Sequence, residues 1–264
     1  MIKYARIVLT GGFYLLRDFP KVIKHSKHPE RYDLMDRFLQ VKKVVQEINR
    51  SSFHAEFLVE GMEDIPEGQV LFVGNHVSLY DPVAMATIID RPVGFLCKKE
   101  VEKMPLASQV AKSLDSTFID REDLRSEIKA IANLTRKMEK DKRLSYVIFP
   151  EGTRSKRPDF ELLPFHSGSF KVATKLQIPV VPFAFYLTDR ILNQRYHYHR
   201  YPVQVRFLKP ILPSEYENLD TKQIADIARE RIASALSEMK AKDRGLVKSL
   251  NGYSDKKVDK ILHR

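Results

Sequence analysis

From residue 53 onward, short apolar runs alternate with amphipathic stretches, and this alternation narrows the fold more than any other feature. "AEFLVEG", "VLFVGNH", "VGFLC", "STFID", "LSYVIF", "IPVVPFAFYL" and "VQVRFLKPI" read as strands. "DPVAMATIID", "VEKMPLASQVAK", "REDLRSEIKAIANLTRKMEK", "FHSGSFKVATKLQ" and "LDTKQIADIARERIASALSEMKAK" read as helices. Asp81 followed by Pro82 is a good helix start. Asp220 with Gln223 has the spacing of a capping box. Strands that alternate with helices predict an α/β fold, a mixed and largely parallel sheet covered by helices. With 264 residues, 43% of them apolar, the chain can build a sizeable core. No internal repeat or Gly/Ser linker divides residues 51–264, so one domain is expected there.

Residues 1–50 follow a different pattern. The run Ile7 to Leu16 is apolar, is interrupted by Gly11 and Gly12, and has Lys3, Arg6 and Arg17 around it. It is too short to cross a bilayer, which takes about 20 residues of helix. No A-x-A-like cleavage site follows it. Next, Leu34, Phe38, Val41, Val45 and Ile48 fall on one face of a helix, with Arg37, Lys42, Lys43 and Glu47 on the other. Pro20 and Pro29 separate the two segments. The expectation is a helix–break–helix arm over residues 1–50. Its first helix inserts into one leaflet at a membrane interface, while its second fits the interface and the core equally well.

The formal net charge of +11 draws the chain toward an anionic partner: a phospholipid surface, a phosphorylated substrate or nucleic acid. In residues 1–50, 6 Lys and 5 Arg face 5 acids, so the arm shares this charge. The single cysteine, Cys97, excludes an internal disulfide and fits a reducing compartment. Its basic neighbours Lys98 and Lys99 do not make it a nucleophile without an activating base beside it in the sequence.

Two loops carry chemistry. "NHVSLYD" follows the buried run Val70 to Val73, which puts His76 at a strand's C-terminal end, where α/β sites lie. A histidine, with an ordinary pKa near ~6.5, suits a general base at neutral pH, and a carboxylate at Asp81 can fix its tautomer. On this pair alone, a helix start at Asp81 and a capped loop explain the residues as well. "FPEGTRS" also follows a buried strand. Gly152 lets the backbone turn and approach a ligand, Thr153 offers a hydroxyl, and Arg154 a planar fork for phosphate. Glu151 accepts hydrogen bonds from a polyol or pairs with Arg154. A tight turn with a local ion pair is the plain alternative. Arg121, directly after "STFID", is a second cation for phosphate or a partner of Asp120 or Glu122.

In this order, "NHVSLYD", "STFIDR", "FPEGTRS" and "IPVVPF" resemble the four-block signature of the glycerolipid acyltransferases, the 1-acylglycerol-3-phosphate (lysophosphatidic acid) acyltransferase family, over roughly residues 55–210. The resemblance implies that His76 takes the proton of an acceptor hydroxyl, that Asp81 orients it, and that the hydroxyl attacks an acyl thioester directly with no acyl-enzyme. It implies that Glu151, Gly152, Thr153, Arg154 and Arg121 bind the glycerol phosphate. It implies phosphatidic acid as the product, in phospholipid biosynthesis. It implies no metal and no cofactor, with acyl-CoA or acyl-acyl carrier protein as the donor substrate. The expected partners are lysophosphatidic acid and the phospholipid membrane surface, with peripheral or monotopic attachment at a cytoplasmic face. The chain departs from the family pattern at Asp115, where glycine is frequent, and at His166, where lysine is. Another glycerophosphate or lysophospholipid acceptor fits the same blocks. Nucleic acid is not expected: "QRYHYHRYP" is basic and aromatic, but no nucleic-acid motif accompanies it. A zinc site through His197 and His199 lacks cysteine pairs and HExxH.

Overall fold

A computed structural model of the chain describes residues 2–120, 123–155, 161–193 and 195–262, with residues 2–10 and 124 described as backbone only. Its elements, in order, are α1 (Ile2–Lys27), α2 (Leu34–Ile48), β1 (Ala55–Glu60), β2 (Leu71–Gly74), α3 (Asp81–Ile88), β3 (Val93–Lys98), α4 (Ala107–Ser113) and β4 (Thr117–Ile119). There follow α5 (Leu124–Lys140), β5 (Ser145–Ile148), α6 (Lys171–Leu176), β6 (Val180–Tyr186), β7 (Tyr201–Phe207), α7 (Pro213–Tyr216), α8 (Thr221–Asn251) and α9 (Asp255–Leu262). The seven strands form one sheet in the order β1-β7-β6-β2-β5-β3-β4. Five run parallel, and β7 turns antiparallel to β6 and carries β1 with it. This is the mixed, largely parallel, helix-covered sheet read from the sequence.

The central strands β2, β5 and β6 are fully buried and nearly all apolar because both faces are covered, whereas the outer β1 and β7 carry Glu56, Gln204 and Arg206. Alternate residues point to opposite sides. Phe72, Val147, Phe183 and Phe185 meet the arm helices and α3, while Leu71, Val73, Tyr146, Ile148 and Val180 meet α5, α6 and α8. The capping box at Asp220 forms as its spacing predicts.

The arm departs from the expected break in one respect. α1 runs unbroken through Pro20, and the chain turns only at Pro29–Arg31. Its C-terminal half is part of the domain, since Phe19 and Val22 are buried against Phe38, Val41 and Val45 of α2. Burying each such side chain contributes about 1.5–3 kcal/mol, which holds this end of α1 down. The buried Asp18 carboxylate receives Arg17 and, at 2.9 Å, Lys43, which hold it below the usual carboxylate range. α2 is anchored by the buried Arg37, whose guanidinium reaches Ser113 O (2.6 Å) and the Asp115 carboxylate (2.7 Å). Asp115 sits in the left-handed region at φ 54°, a conformation that favours glycine. Besides the Arg37 pair, its carbonyl accepts from Lys137 and from the Tyr146 hydroxyl, and these contacts hold the strained residue. The other end of α1 presents Phe13 and Leu16, 64% and 83% exposed. Among the described residues no helix is long and apolar enough to cross a membrane.

Gly74 ends β2 immediately before the histidine loop. A Cβ there would lie 2.3 Å from the buried Phe183 ring. Gly74→Ala is therefore expected to destabilise the fold by about 1–3 kcal/mol through overpacking. Urea unfolding checks this; an unchanged midpoint would show that the ring has room to move.

Candidate active site

β2 and β5 are neighbouring parallel strands, with Val73 opposite Ile148, so the loops that follow them emerge side by side. Asn75 locks the first loop in place. Its buried amide receives the Phe185 N–H at 2.8 Å and donates to the Phe185 carbonyl at 2.9 Å, extending the sheet by a side chain after β2 has ended.

The next residue is His76. Its Nδ1 lies 2.7 Å from Asp81 Oδ2, which also accepts the Val77 and Ser78 N–H groups at 2.8 and 2.9 Å. The Thr188 hydroxyl donates to Oδ1. Asp81 is fully buried. Everything facing it donates, so Asp81 acts as an acceptor and Nδ1 carries the ring proton. The neutral ring then keeps its lone pair on Nε2, which has no partner among the described residues. One face of the imidazole stacks on Phe149, ring centres 4.3 Å apart. As the sequence suggests, Asp81 begins α3, but its side chain turns back to the histidine loop rather than capping the helix.

The second loop is stapled to the histidine's own peptide groups. Glu151 Oε1 accepts the His76 backbone N–H at 2.7 Å, and the Ser155 N–H donates to the His76 carbonyl at 2.7 Å. Glu151 Oε2 takes the Leu163 N–H at 3.0 Å. The residue expected to meet a ligand is thus buried, with both oxygens on the main chain. Burial pushes its carboxyl above the usual range, opposed by these two N–H groups. Gly152 has φ 74°, the conformation its sequence position anticipates. Thr153 and Arg154 are exposed beside it, and the Arg154 guanidinium has no ion-pair partner among the described residues. Arg121 lies outside the described residues.

A groove of about 500 Å³ opens at this point. Phe149, Pro150 and Gly152 form its head, Leu96, Ile119 and Ile131 its apolar floor, and His166 and Lys171 part of its rim. Ile128, on the apolar side of α5, is 60% exposed there rather than packed. The groove meets the two loops at Phe149, which stacks on the His76 ring, and at the turned Gly152. Sequence reasoning missed Asn75, Thr188 and the Phe149 stack. Asn75 and Phe149 are the first residues of "NHVSLYD" and "FPEGTRS", whereas Thr188 is 107 residues from Asp81 and carries no local signal.

Comparison with known proteins gives three findings. The sequence profile of the family described as Acyltransferase matches residues 56–186. Proteins named 1-acyl-sn-glycerol-3-phosphate acyltransferase are similar to the chain: one from Saccharomyces cerevisiae is 29% identical, covering 69% of this chain and 60% of that protein. One from Cocos nucifera is 33% identical, covering 60% and 51%. One from Escherichia coli is 28% identical, covering 65% and 69%. The chain thus spans 60% and 51% of the yeast and coconut proteins' lengths. The crystal structure of the 1-acyl-sn-glycerophosphate (LPA) acyltransferase PlsC from Thermotoga maritima superposes with a TM-score of 0.62, at 25% identity, covering 91% of this chain and 92% of that one.

The raised Glu151 carboxyl makes a stability prediction. A group whose folded pKa exceeds its unfolded value contributes stability below the unfolded value and loses it as pH rises through the folded one. Relative to Glu151→Gln, which cannot titrate, the native chain should lose stability as pH rises from the ordinary glutamate value of 4.5 upward. Urea midpoints at about pH 4 and about pH 7 test this, and a native advantage that grows with pH would contradict it.

Proposed function

The chain belongs to the acyltransferase family, and from that premise we propose that it transfers an acyl group from a thioester to the free hydroxyl of 1-acylglycerol 3-phosphate, giving phosphatidic acid. The observation that carries the reading is His76, with Nδ1 committed to Asp81 and its main chain bonded to Glu151 and Ser155, the residues on either side of the Gly152–Arg154 turn. The acceptor hydroxyl gives its proton to Nε2 as its oxygen bonds to the thioester carbonyl carbon. The carbon–sulfur bond then breaks, and the departing sulfur takes the proton back from the imidazolium. Asp81 stabilises the imidazolium between the two steps.

The acceptor's phosphate lies against Arg154 and Arg121, with Gly152 and Thr153 supplying a close backbone and a hydroxyl. Glu151 supports the ligand indirectly, by holding the main chain of both loops. The donor is acyl-CoA or acyl-acyl carrier protein, and nothing in this sequence of steps asks for a metal or cofactor.

The acceptor and the product are bilayer lipids. Extracting one exposes its chain to water at about 0.8 kcal/mol per CH₂, so a site held at the membrane surface is favoured. The exposed Phe13 and Leu16, with the basic arm around them, support peripheral attachment through the N-terminal part of α1, and the face proposed is the cytoplasmic one. The buried half of α1 and α2 belong to the domain, so deleting the arm would open the core. Phe13→Glu with Leu16→Glu is the cleaner test: sedimentation with anionic vesicles should fall several-fold, and unchanged binding would contradict arm attachment.

The function is tested by transfer from a thioester to lysophosphatidic acid in vesicles. The native chain should transfer, and His76→Ala should lose roughly 100- to 10,000-fold in rate while remaining folded. Equal rates would remove His76 as the base. Transfer to another lysophospholipid or to glycerol 3-phosphate, but not to lysophosphatidic acid, would overturn the acceptor while keeping the chemistry.

A further inference from the structure

The carboxylate behind His76 is itself held from behind. Asp81 Oδ2 has three donors: His76 Nδ1 and the Val77 and Ser78 N–H groups. Oδ1 has one, the hydroxyl of Thr188, and no other among the described residues. Both Asp81 and Thr188 are fully buried, so water does not stand in for that hydroxyl.

The turn that presents Thr188 is built with care for its position. Leu187, the residue directly after β6, takes φ 55°, a left-handed conformation that a side chain with a Cβ avoids. Two residues past Thr188, the buried Arg190 grips Asp243 of α8 through both guanidinium nitrogens, at 2.9 and 2.8 Å. The Arg190 N–H returns to the Leu187 carbonyl at 3.2 Å and closes the turn. A strained residue on one side and a buried bidentate ion pair on the other hold Thr188 against Asp81.

We propose that Thr188 is a positioning residue of the catalytic pair: its hydroxyl pins Oδ1 and so keeps Oδ2 of Asp81 turned to His76, which keeps the His76 proton on Nδ1 and the lone pair on Nε2. This role rests on the acyl-transfer reading for its rate consequence but not for its structural one. Asp81 lies among like charges. The Glu151 and Asp189 carboxyls both feel it, and each is pushed up chiefly by burial. Arg190, the nearest cation on that turn, is committed to Asp243. Without the Thr188 hydroxyl, Oδ1 becomes a buried acceptor with no donor, and the carboxylate is relieved by rotating to share the Val77 and Ser78 N–H groups. That rotation takes the acceptor away from the His76 Nδ1–H, and the tautomer is no longer held. The ring is then free to carry its proton on Nε2, the atom that must receive the acceptor's proton.

The experiment compares Thr188→Val, which removes the hydroxyl at nearly constant shape, with Thr188→Ser, which keeps it. The His76 tautomer is read by ¹⁵N NMR of the full chain with labelled histidine, the signal assigned through His76→Gln. Steady-state transfer is measured alongside. The native chain and Thr188→Ser should show the Nδ1–H form. Thr188→Val should show a substantial Nε2–H population and a kcat lowered about 10- to 100-fold, the cost of one unpaired buried acceptor, with the acceptor KM unchanged. Thr188→Val with a native tautomer overturns the proposal whatever the rate does. So does an equal loss in the Val and Ser variants. If the native chain transfers to no acceptor, the acyl-transfer reading fails, and the tautomer comparison still decides the role of Thr188. If Thr188→Val does not fold, Thr188→Ala takes its place in the same comparison.

Discussion

A buried carboxylate shared between two backbone N–H groups is what makes one site out of two loops. Glu151 accepts from His76 on one loop and from Leu163 on the far side of its own, and the Ser155 N–H closes the second bond onto His76. The histidine's peptide unit is thereby held from both directions before its ring does anything. Hydrogen bonds to a charged acceptor are among the stronger ones available to a protein, and here they are placed where loops would otherwise be loose. The position of Gly152, Thr153 and Arg154 relative to the His76 main chain follows from that staple.

The sheet supplies the rest of the frame. Neighbouring parallel strands β2 and β5 bring both loops to one edge, and Asn75 carries the sheet's hydrogen bonding one step beyond its last strand residue. Behind the loops, the post-β6 turn reaches in with Thr188, steadied by α8 through Arg190 and Asp243. His76 is thus held by residues from four separate stretches of the chain. On the proposed reading, such rigidity keeps the acceptor hydroxyl, the base and the thioester within reacting distance.

Much of this was legible in the sequence. The central strands showed as apolar runs because both sheet faces are covered, and the helices as amphipathic stretches between them. The His76–Asp81 contact and the turn at Gly152 showed because both lie within short, local stretches of sequence. Other features did not show, each for a physical reason. Pro20 read as a break, yet proline's missing N–H and ring clash are tolerated inside α1. Glu151 read as a ligand contact because a carboxylate's residue type does not tell whether its donors are a substrate or a peptide group. Asp115 read as a departure from a glycine pattern. Its compensation came from Arg37 and Lys137, partners 78 and 22 residues away. Thr188 had no reading at all, since its meaning exists only where β6 ends beside the start of α3.

The central claim is that the two loops act as one unit, and a double-mutant cycle on the transfer rate tests it most directly. Asp81→Asn disturbs the base from one side, and Glu151→Gln loosens the staple from the other. If the loops form one site, the double variant should depart from the product of the single effects by a coupling of about 0.5–3 kcal/mol, as groups sharing a network do. Strictly additive losses would mean that the β5 loop binds its ligand independently of how His76 is held, and the account of a single composite site would fail.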